Sequence, residues 1–517
     1  MVPVDSAIAN VQGFANLVGL PQMKIARNQL PLFLKSFLTS MLSLLIGCAS
    51  LVIADEENPA AVLEQIDVAP VWSVHRAGSP ELLTRDGRQD VAYYDQDRFL
   101  TIARRELGSE AWQYHRFPVQ MRWATGGHAK LSLALDRAGY IHLSCYRRHM
   151  LQAPEPPPAA LYYRSTEPHS IEAFEQRTMI SAQEHPHYPT YYTVGDTLFF
   201  TYRDGGSGRG DQLLNRYDED RRVWEQALET PLLDGEGERS AYIHGPGGPM
   251  PGPDGRFHLL WVWRETPDHA TNHSLSYART VGSDLSRWES AAGEPVKPPF
   301  QLEDRELLVD GTPPGGGLSN TLFRMNWDSQ QRVVVSFHKF DEAGASQIYN
   351  ARFMDGEWRS VQATDWDFVW GEAYRGNGAL GIHEYLRMQG TQPGESGELT
   401  QKVWNRDDGG AHIVLDESTL SQIRVEKPKP APKWRRVLTR PESDFQVEPI
   451  PSLRRPGGPM QVALIADKAG NDAAGAEYYL RWEHAGTNRD RPVPQPWPEP
   501  TMLRVYKIKT QSPIFAR

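Results

Sequence analysis

Residues 191–218 read YYTVGDTLFFTYRDGGSGRGDQLLNRYD, and Trp224 follows after a short turn. An apolar run ends at Val194, Gly195-Asp196 turns the chain, and a second run continues from Leu198 to Tyr202. The glycines between Asp204 and Gly208 make the next turn, because glycine enters the positive-φ conformations tight turns need. LLNRYD then reads as a third strand. The stretch is a meander of short strands closed by an aromatic residue, with no helical period.

The same unit recurs along the chain. It is seen at 91–117, 131–174, 189–224, 247–288 and 319–358, and more weakly at 373–405 and 459–506. Seven copies of a three- to four-stranded unit point to an all-β protein with a seven-bladed β-propeller fold. One such unit cannot cover both of its faces, whereas units packed radially cover each other. Two β-sandwich domains would give similar strand signals and are the competing arrangement. The Pro/Lys stretch 427–434 and the Pro-rich run 492–499 read as surface loops.

Composition agrees with this. The 517 residues include 43 Gly, 40 Pro, 15 Trp and 20 Tyr, a turn-rich and aromatic-rich makeup. Hydrophobic residues at 39% and charged residues at 23% are enough to bury a core. A formal charge of -10 excludes a broad nucleic-acid-binding face, which would have to neutralise phosphates. Two cysteines exclude a disulfide scaffold and a four-cysteine zinc site.

The N-terminus carries an address. Residues 30–54, LPLFLKSFLTSMLSLLIGCASLVIA, follow Lys24 and Arg27, and a cationic flank before an apolar run is a secretory signal. Leu45-Ile46-Gly47-Cys48 resembles a bacterial lipobox, which would place a lipid anchor at Cys48; Val52-x-Ala54 offers a soluble-export cleavage site instead. After Asp55 no stretch approaches the roughly 20 apolar residues of a membrane span. The expected division is an export segment at 1–54 and a catalytic propeller at 60–517. The expected location is secreted or periplasmic, or the outer membrane if Cys48 is lipidated.

Propeller ligands sit on the axial face, where loops of several blades converge. Polar and aromatic residues fall at equivalent turns of three consecutive units. Gly126-Gly127-His128 opens one and Arg148-His149 closes its second strand. His187-Tyr188-Pro189 opens the next and Tyr202-Arg203-Asp204 closes it. Ala241-Tyr242-Ile243-His244 opens the third and Trp263-Arg264-Glu265 closes it. Taken singly, each has a plain role: a packed tyrosine, a loop histidine, an arginine paired with Asp204 or Glu265. Together they suit β-elimination at a uronate. An arginine fork neutralises the substrate carboxylate, His or a deprotonated Tyr removes the adjacent ring proton, and a Tyr hydroxyl protonates the leaving oxygen. A glycosidase would need paired carboxylates, and a sialidase an arginine triad, for which Arg203 and Arg264 leave room.

Three segments resemble the BNR-repeat propeller proteins, and among them the ulvan lyases of polysaccharide lyase families 24 and 25. They are GGHAKLSLALDRAGYIHLS, HYPTYY with FFTYRDGGSG and LLNRYD, and WVWRETPDHATNHSLSYAR. The resemblance spans roughly 70–500 and is strongest over 120–290. It implies β-elimination on ulvan, a sulfated rhamnose–uronate polysaccharide, leaving an unsaturated uronyl end. It also implies His128 and Tyr188 as catalytic residues, His149 as a second active-site histidine, Arg203 as carboxylate neutraliser, and Tyr242 and Arg264 as substrate contacts. Ala129 stands where the family pattern often has Asn, which weakens the match at one carboxylate contact. Between the two acid–base candidates, His128 is the easier base and Tyr188 the easier acid, though one tyrosine serving both steps stays open.

No cofactor is required by this chemistry. His269-x3-His273 beside Asp268 has ligand-like spacing for a structural metal, though two loop histidines are more often solvated. The partner expected is an anionic polysaccharide. Competing readings are a lyase acting on another rhamnosyl-glucuronate polymer, a sialidase-like hydrolase, and a glycan-binding propeller without activity.

Overall fold

The computed structural model describes residues 61–74, 80–121, 130–145, 161–180, 186–245, 248–370, 385–395, 397–427, 438–449, 457–468, 475–486 and 495–509. The chain divides after Pro59, and the export segment expected at 1–54 lies outside the described residues.

The described chain is all-β, with helix confined to short turns such as His269–Thr271 and Arg305–Leu307. Strands gather into four-stranded antiparallel meanders in chain order. Glu81–Arg85, Arg88–Tyr94, Phe99–Glu106 and Gln113–Gln120 form one; Leu131–Leu135, Ile141–Cys145, Leu161–Ser165 and Phe174–Arg177 form the next. Then come Pro186–Val194, Thr197–Gly206, Arg209–Asp218 and Val223–Gln226, followed by Ser240–Ile243, Phe257–Arg264, Asn272–Val281 and Asp284–Glu289. These last two sets touch through the pair Gly210 and Ser240. Phe323–Trp327, Val333–Phe340, Ser346–Met354 and Glu357–Gln362 form a further sheet, and Leu386–Met388, Glu398–Asn405, Gly409–Asp416 and Gln422–Glu426 another.

The turns behave as their residues require. Asp86 and Gly87 take φ of 52° and 77° between Glu81–Arg85 and Arg88–Tyr94. Two positive-φ residues make the two-residue hairpin whose twist matches its strands.

Two features depart from the repeat pattern. The unit expected at 373–405 runs on to Glu426, since Gly409–Asp416 and Gln422–Glu426 pair beyond it. The last unit takes its outer strand from the other end of the chain. Ala61–Val71 pairs with Thr501–Lys509, from Ala61 opposite Lys509 to Val71 opposite Thr501. Each half alone would leave a long edge open, and the pairing closes it.

Core clusters lie between consecutive sheets. Ile102, Phe117, Leu133, Leu143 and Tyr163 pack together across the first two meanders. Tyr162 meets Tyr191, Phe200, Tyr217 and Trp224 across the next boundary. Leu260, Leu275, Phe323, Val335 and Phe337 do the same further round, as do Val334, Ile348, Leu386, Leu399 and Leu415. The terminal sheet joins the first through Tyr93, Ala103, Leu480, Trp482 and Val505. Each buried large aliphatic or aromatic side chain contributes about 1.5–3 kcal/mol. The core is therefore spread over the boundaries between sheets.

Candidate active site

Pro186–Val194 and Thr197–Gly206 pair antiparallel, with His187 opposite Arg203. The register slips between His187 and Thr190. The slip falls on Tyr188, whose φ of 57° places a tyrosine in the left-handed region. Such a backbone costs on the order of 1–3 kcal/mol and is held only by its surroundings. Here Thr190 Oγ1 donates to the Tyr188 carbonyl at 3.3 Å and accepts from Lys130 Nζ at 2.5 Å.

The bulge turns Tyr188 toward Arg203. The Arg203 guanidinium carbon lies 5.2 Å from the Tyr188 ring centre and 4.8 Å from that of Tyr242. Arg203 is 4% exposed, yet its Nε and Nη1 find no hydrogen-bond partner among the described residues. A buried guanidinium against two aromatic rings, with donors unpartnered among the described residues, is a charge that can receive an anion.

Tyr242 arrives from the next meander through close backbone approach. The turn after Thr197–Gly206 brings Gly208 against Thr266: a Cβ there would stand 2.6 Å from the Thr266 Cα, and φ is +80°. Only glycine fits. Gly208 N–H donates to Ser240 Oγ at 3.0 Å, at the start of Ser240–Ile243. Two residues along that strand, the Tyr242 hydroxyl meets Ser207 Oγ at 2.8 Å.

Burial by itself would push the Tyr242 hydroxyl up. The charges of Arg203 and Arg264, with hydrogen bonds from Ser207 and Arg203, outweigh it and hold the hydroxyl below the ordinary tyrosine value. Tyr162, Tyr191, Tyr192, Tyr217 and Tyr277 are all pushed up by burial.

Arg264 has a different setting from Arg203. Its guanidinium carbon is 5.4 Å from the Tyr242 ring, but its Nε donates to the carbonyls of Thr266 at 3.0 Å and Asp268 at 3.3 Å. Its Nη2 donates to the Pro267 carbonyl. It clamps its own loop while lending charge to Tyr242.

Four residues singled out in the sequence thus meet: Tyr188, Arg203, Tyr242 and Arg264. His128 and His149 lie outside the described residues. His244, two residues on from Tyr242, accepts from Met325 N–H at 3.4 Å; burial and then Arg324 lower it to about 4, so it is neutral at neutral pH.

Lys130, which the sequence reading passed over, reaches the Tyr188 bulge through Thr190. Burial lowers its ammonium to about 8, with Glu81 opposing and Lys468 assisting. Its signal was its place two residues after His128, at the edge of Leu131–Leu135.

The pair proposed for a metal is divided between different partners. His269 Nε2 meets Ser319 Oγ at 3.0 Å, and burial and then Arg264 lower its imidazole to about 3. His273 Nε2 meets Glu265 Oε1 at 2.6 Å. Among the described residues no group of three or more His, Cys, Asp or Glu is placed to hold a metal. No helix among them is long and apolar enough to cross a membrane. Cys145 is buried.

Residues 88–366 match the model of a BNR repeat-containing family member, more than half of the chain. No curated protein matches. Among solved structures, one described as a polysaccharide lyase PL25 ulvan lyase is 13% identical, with a TM-score of 0.51 over 85% of this chain and 95% of that one. The same kind of enzyme bound to -[GlcA(1-4)Rha3S]- gives 0.50, also at 13% identity and over the same shares of the two chains. The polysaccharide lyase Uly1 gives 0.52 at 12% identity, over 87% of this chain and 99% of that one.

Proposed function

The chain belongs to the BNR repeat-containing family and has the fold of an ulvan-lyase-like BNR propeller, and from that premise we propose that it is an exported polysaccharide lyase. It cleaves a sulfated rhamnose–uronate polysaccharide of the ulvan type by β-elimination at the uronate. The seven-bladed reading is supported by the described four-stranded meanders, which follow one another in chain order, the last of them completed by strand Ala61–Val71.

The observation that carries the proposal is Arg203, a buried guanidinium against Tyr188 and Tyr242 whose Nε and Nη1 have no partner among the described residues. It binds the uronate carboxylate bidentately, which acidifies the proton on the adjacent ring carbon. A base takes that proton as the glycosidic oxygen leaves and is protonated. We assign the base to His128 and the proton donor to Tyr188, with His149 as a second active-site histidine. Tyr242 lies against Arg203 and its hydroxyl is held below the ordinary tyrosine value, so it is the alternative base. Tyrosines and arginines converge at this mouth, whereas glycosidase chemistry calls for two carboxylates astride the bond. The liganded PL25 neighbour, which holds a glucuronate–rhamnose unit, supports the substrate class. The sequence over 30–54 supports export.

The test is the ultraviolet absorbance of the unsaturated uronyl product over a panel of uronate polysaccharides. Tyr188→Phe removes only a hydroxyl and is expected to lower turnover by about 10²–10⁴-fold with binding largely retained. A reducing-sugar increase without ultraviolet absorbance would make the protein a hydrolase.

A further inference from the structure

A cleft of about 720 Å³ opens between the meander ending in Phe174–Arg177 and the one ending in Val223–Gln226. Its apolar wall includes Tyr162 and Trp224, and its cationic lining is Arg164, Arg177, Arg221 and Arg222. It is remote from Arg203. Phe199 pairs with Arg216, so the turn carrying Arg221 and Arg222 lies at the Thr197 end of its neighbour strand. Arg203 stands six residues further along that strand, about 20 Å at strand rise.

The cations differ in how they are used. Arg221 faces Asp218 at 3.8 Å and Glu225 at 3.6 Å, and Arg177 faces Glu175 at 3.2 Å. Arg164 is 8% exposed and bonds the Tyr217 hydroxyl at 3.1 Å and the Arg222 carbonyl at 3.5 Å, while its Nε has no partner among the described residues. Arg222 reaches the Tyr140 hydroxyl at 3.0 Å. Its φ of 56° holds it in the left-handed region. Both guanidiniums stack on Tyr140, at 4.7 and 4.9 Å from the ring centre. A buried guanidinium with an unused donor is costly unless an acceptor arrives. An oxyanion entering beside Arg164 satisfies that donor, and an aromatic wall accepts the apolar face of a sugar ring.

We propose that this inter-blade cleft is a second carbohydrate site, which holds a sulfate- or carboxylate-bearing sugar of the polymer away from the reacting bond. It rests on the reading of the substrate as an anionic polysaccharide. A second foothold would raise affinity for long chains and leave short ones unaffected, because only a long chain reaches both sites.

The test uses the full chain in an Arg203→Ala background, so that retention by the catalytic mouth is reduced. Arg177→Gln with Arg222→Asn removes two exposed cations, and Asn tolerates the left-handed backbone. Retardation in native gels containing ulvan is expected to weaken about tenfold in this double variant, and chemically desulfated ulvan separates sulfate from carboxylate recognition. Sodium sulfate should compete with the polymer. With Arg203 intact, the same two substitutions should leave turnover of a short oligosaccharide unchanged. Equal retardation with and without the two arginines overturns the proposal. So does sulfate binding that depends on them while polymer retention does not, which would mark a small-ion site only. Failure of the lyase reading is seen separately, as no ultraviolet-absorbing product from the unmodified protein.

Discussion

Arg104 and Arg203 are each 4% exposed on a strand of their own sheet, and they are buried for opposite ends. Arg104 grips Asp90 with Nε and Nη2, both at 2.7 Å. Its charge is answered within its own sheet. Arg203 lies against two aromatic rings, and among the described residues no carboxylate answers it and its Nε and Nη1 have no partner, whereas only Nη1 of Arg104 is left over. A buried cation supplied with its own carboxylate serves the fold; under the proposed function, the one left open is kept for a carboxylate that arrives from outside.

That contrast is easiest to break at Arg104. Arg104→Ala leaves the Asp90 carboxylate buried and alone, with an expected loss of about 3–5 kcal/mol in a denaturant titration. Activity per folded molecule should stay the same. If Arg203→Ala destabilises the fold as much, the two arginines do the same job and the comparison fails.

Arg203→Lys sharpens the contrast. A point charge replaces the planar fork, so turnover should fall about 10²-fold or more with the melting temperature nearly unchanged. Near-normal turnover would make Arg203 structural.

Tyr242→Phe is milder. The ring remains against both guanidiniums, and only the hydroxyl with its bonds to Ser207 and Arg203 is lost. A loss of about tenfold is expected from the absence of these hydrogen bonds. A loss as large as that of Tyr188→Phe would move the base from His128 to Tyr242.

The smallest effect is in pH. The Lys130 ammonium, lowered to about 8, is charged below that value and neutral above it. An anionic substrate should therefore bind more weakly as pH rises through about 8, seen as a few-fold rise in KM. Lys130→Arg keeps the charge and should remove this limb. An unchanged limb would place Lys130 outside the substrate's field.

The strand meanders were legible because alternation and Asp-Gly turns are local. Asp86-Gly87 needs no distant partner to make its hairpin. Tyr188, Arg203, Tyr242 and Arg264 were legible because in-register repeats must carry equivalent positions to equivalent places. Arg264 was less so, since the carbonyls that occupy its guanidinium belong to a loop conformation that no residue pattern encodes. Lys130 was legible only by its place two residues after His128. Its depressed ammonium arises from burial and then Lys468, against the opposing charge of Glu81, in surroundings that only the assembled sheets create.

The order of strands and turns, and the residue types at the mouth of three units, follow from the sequence alone, because they depend on neighbours a few residues apart. Tertiary structure decided three other things. It paired Ala61–Val71 with Thr501–Lys509, an edge that only a distant strand closes. It held Tyr188 in a left-handed backbone braced by Thr190 and Lys130. It left Arg203 with aromatic neighbours and two unused donors, because whether a buried charge has a partner depends on which sheets meet around it.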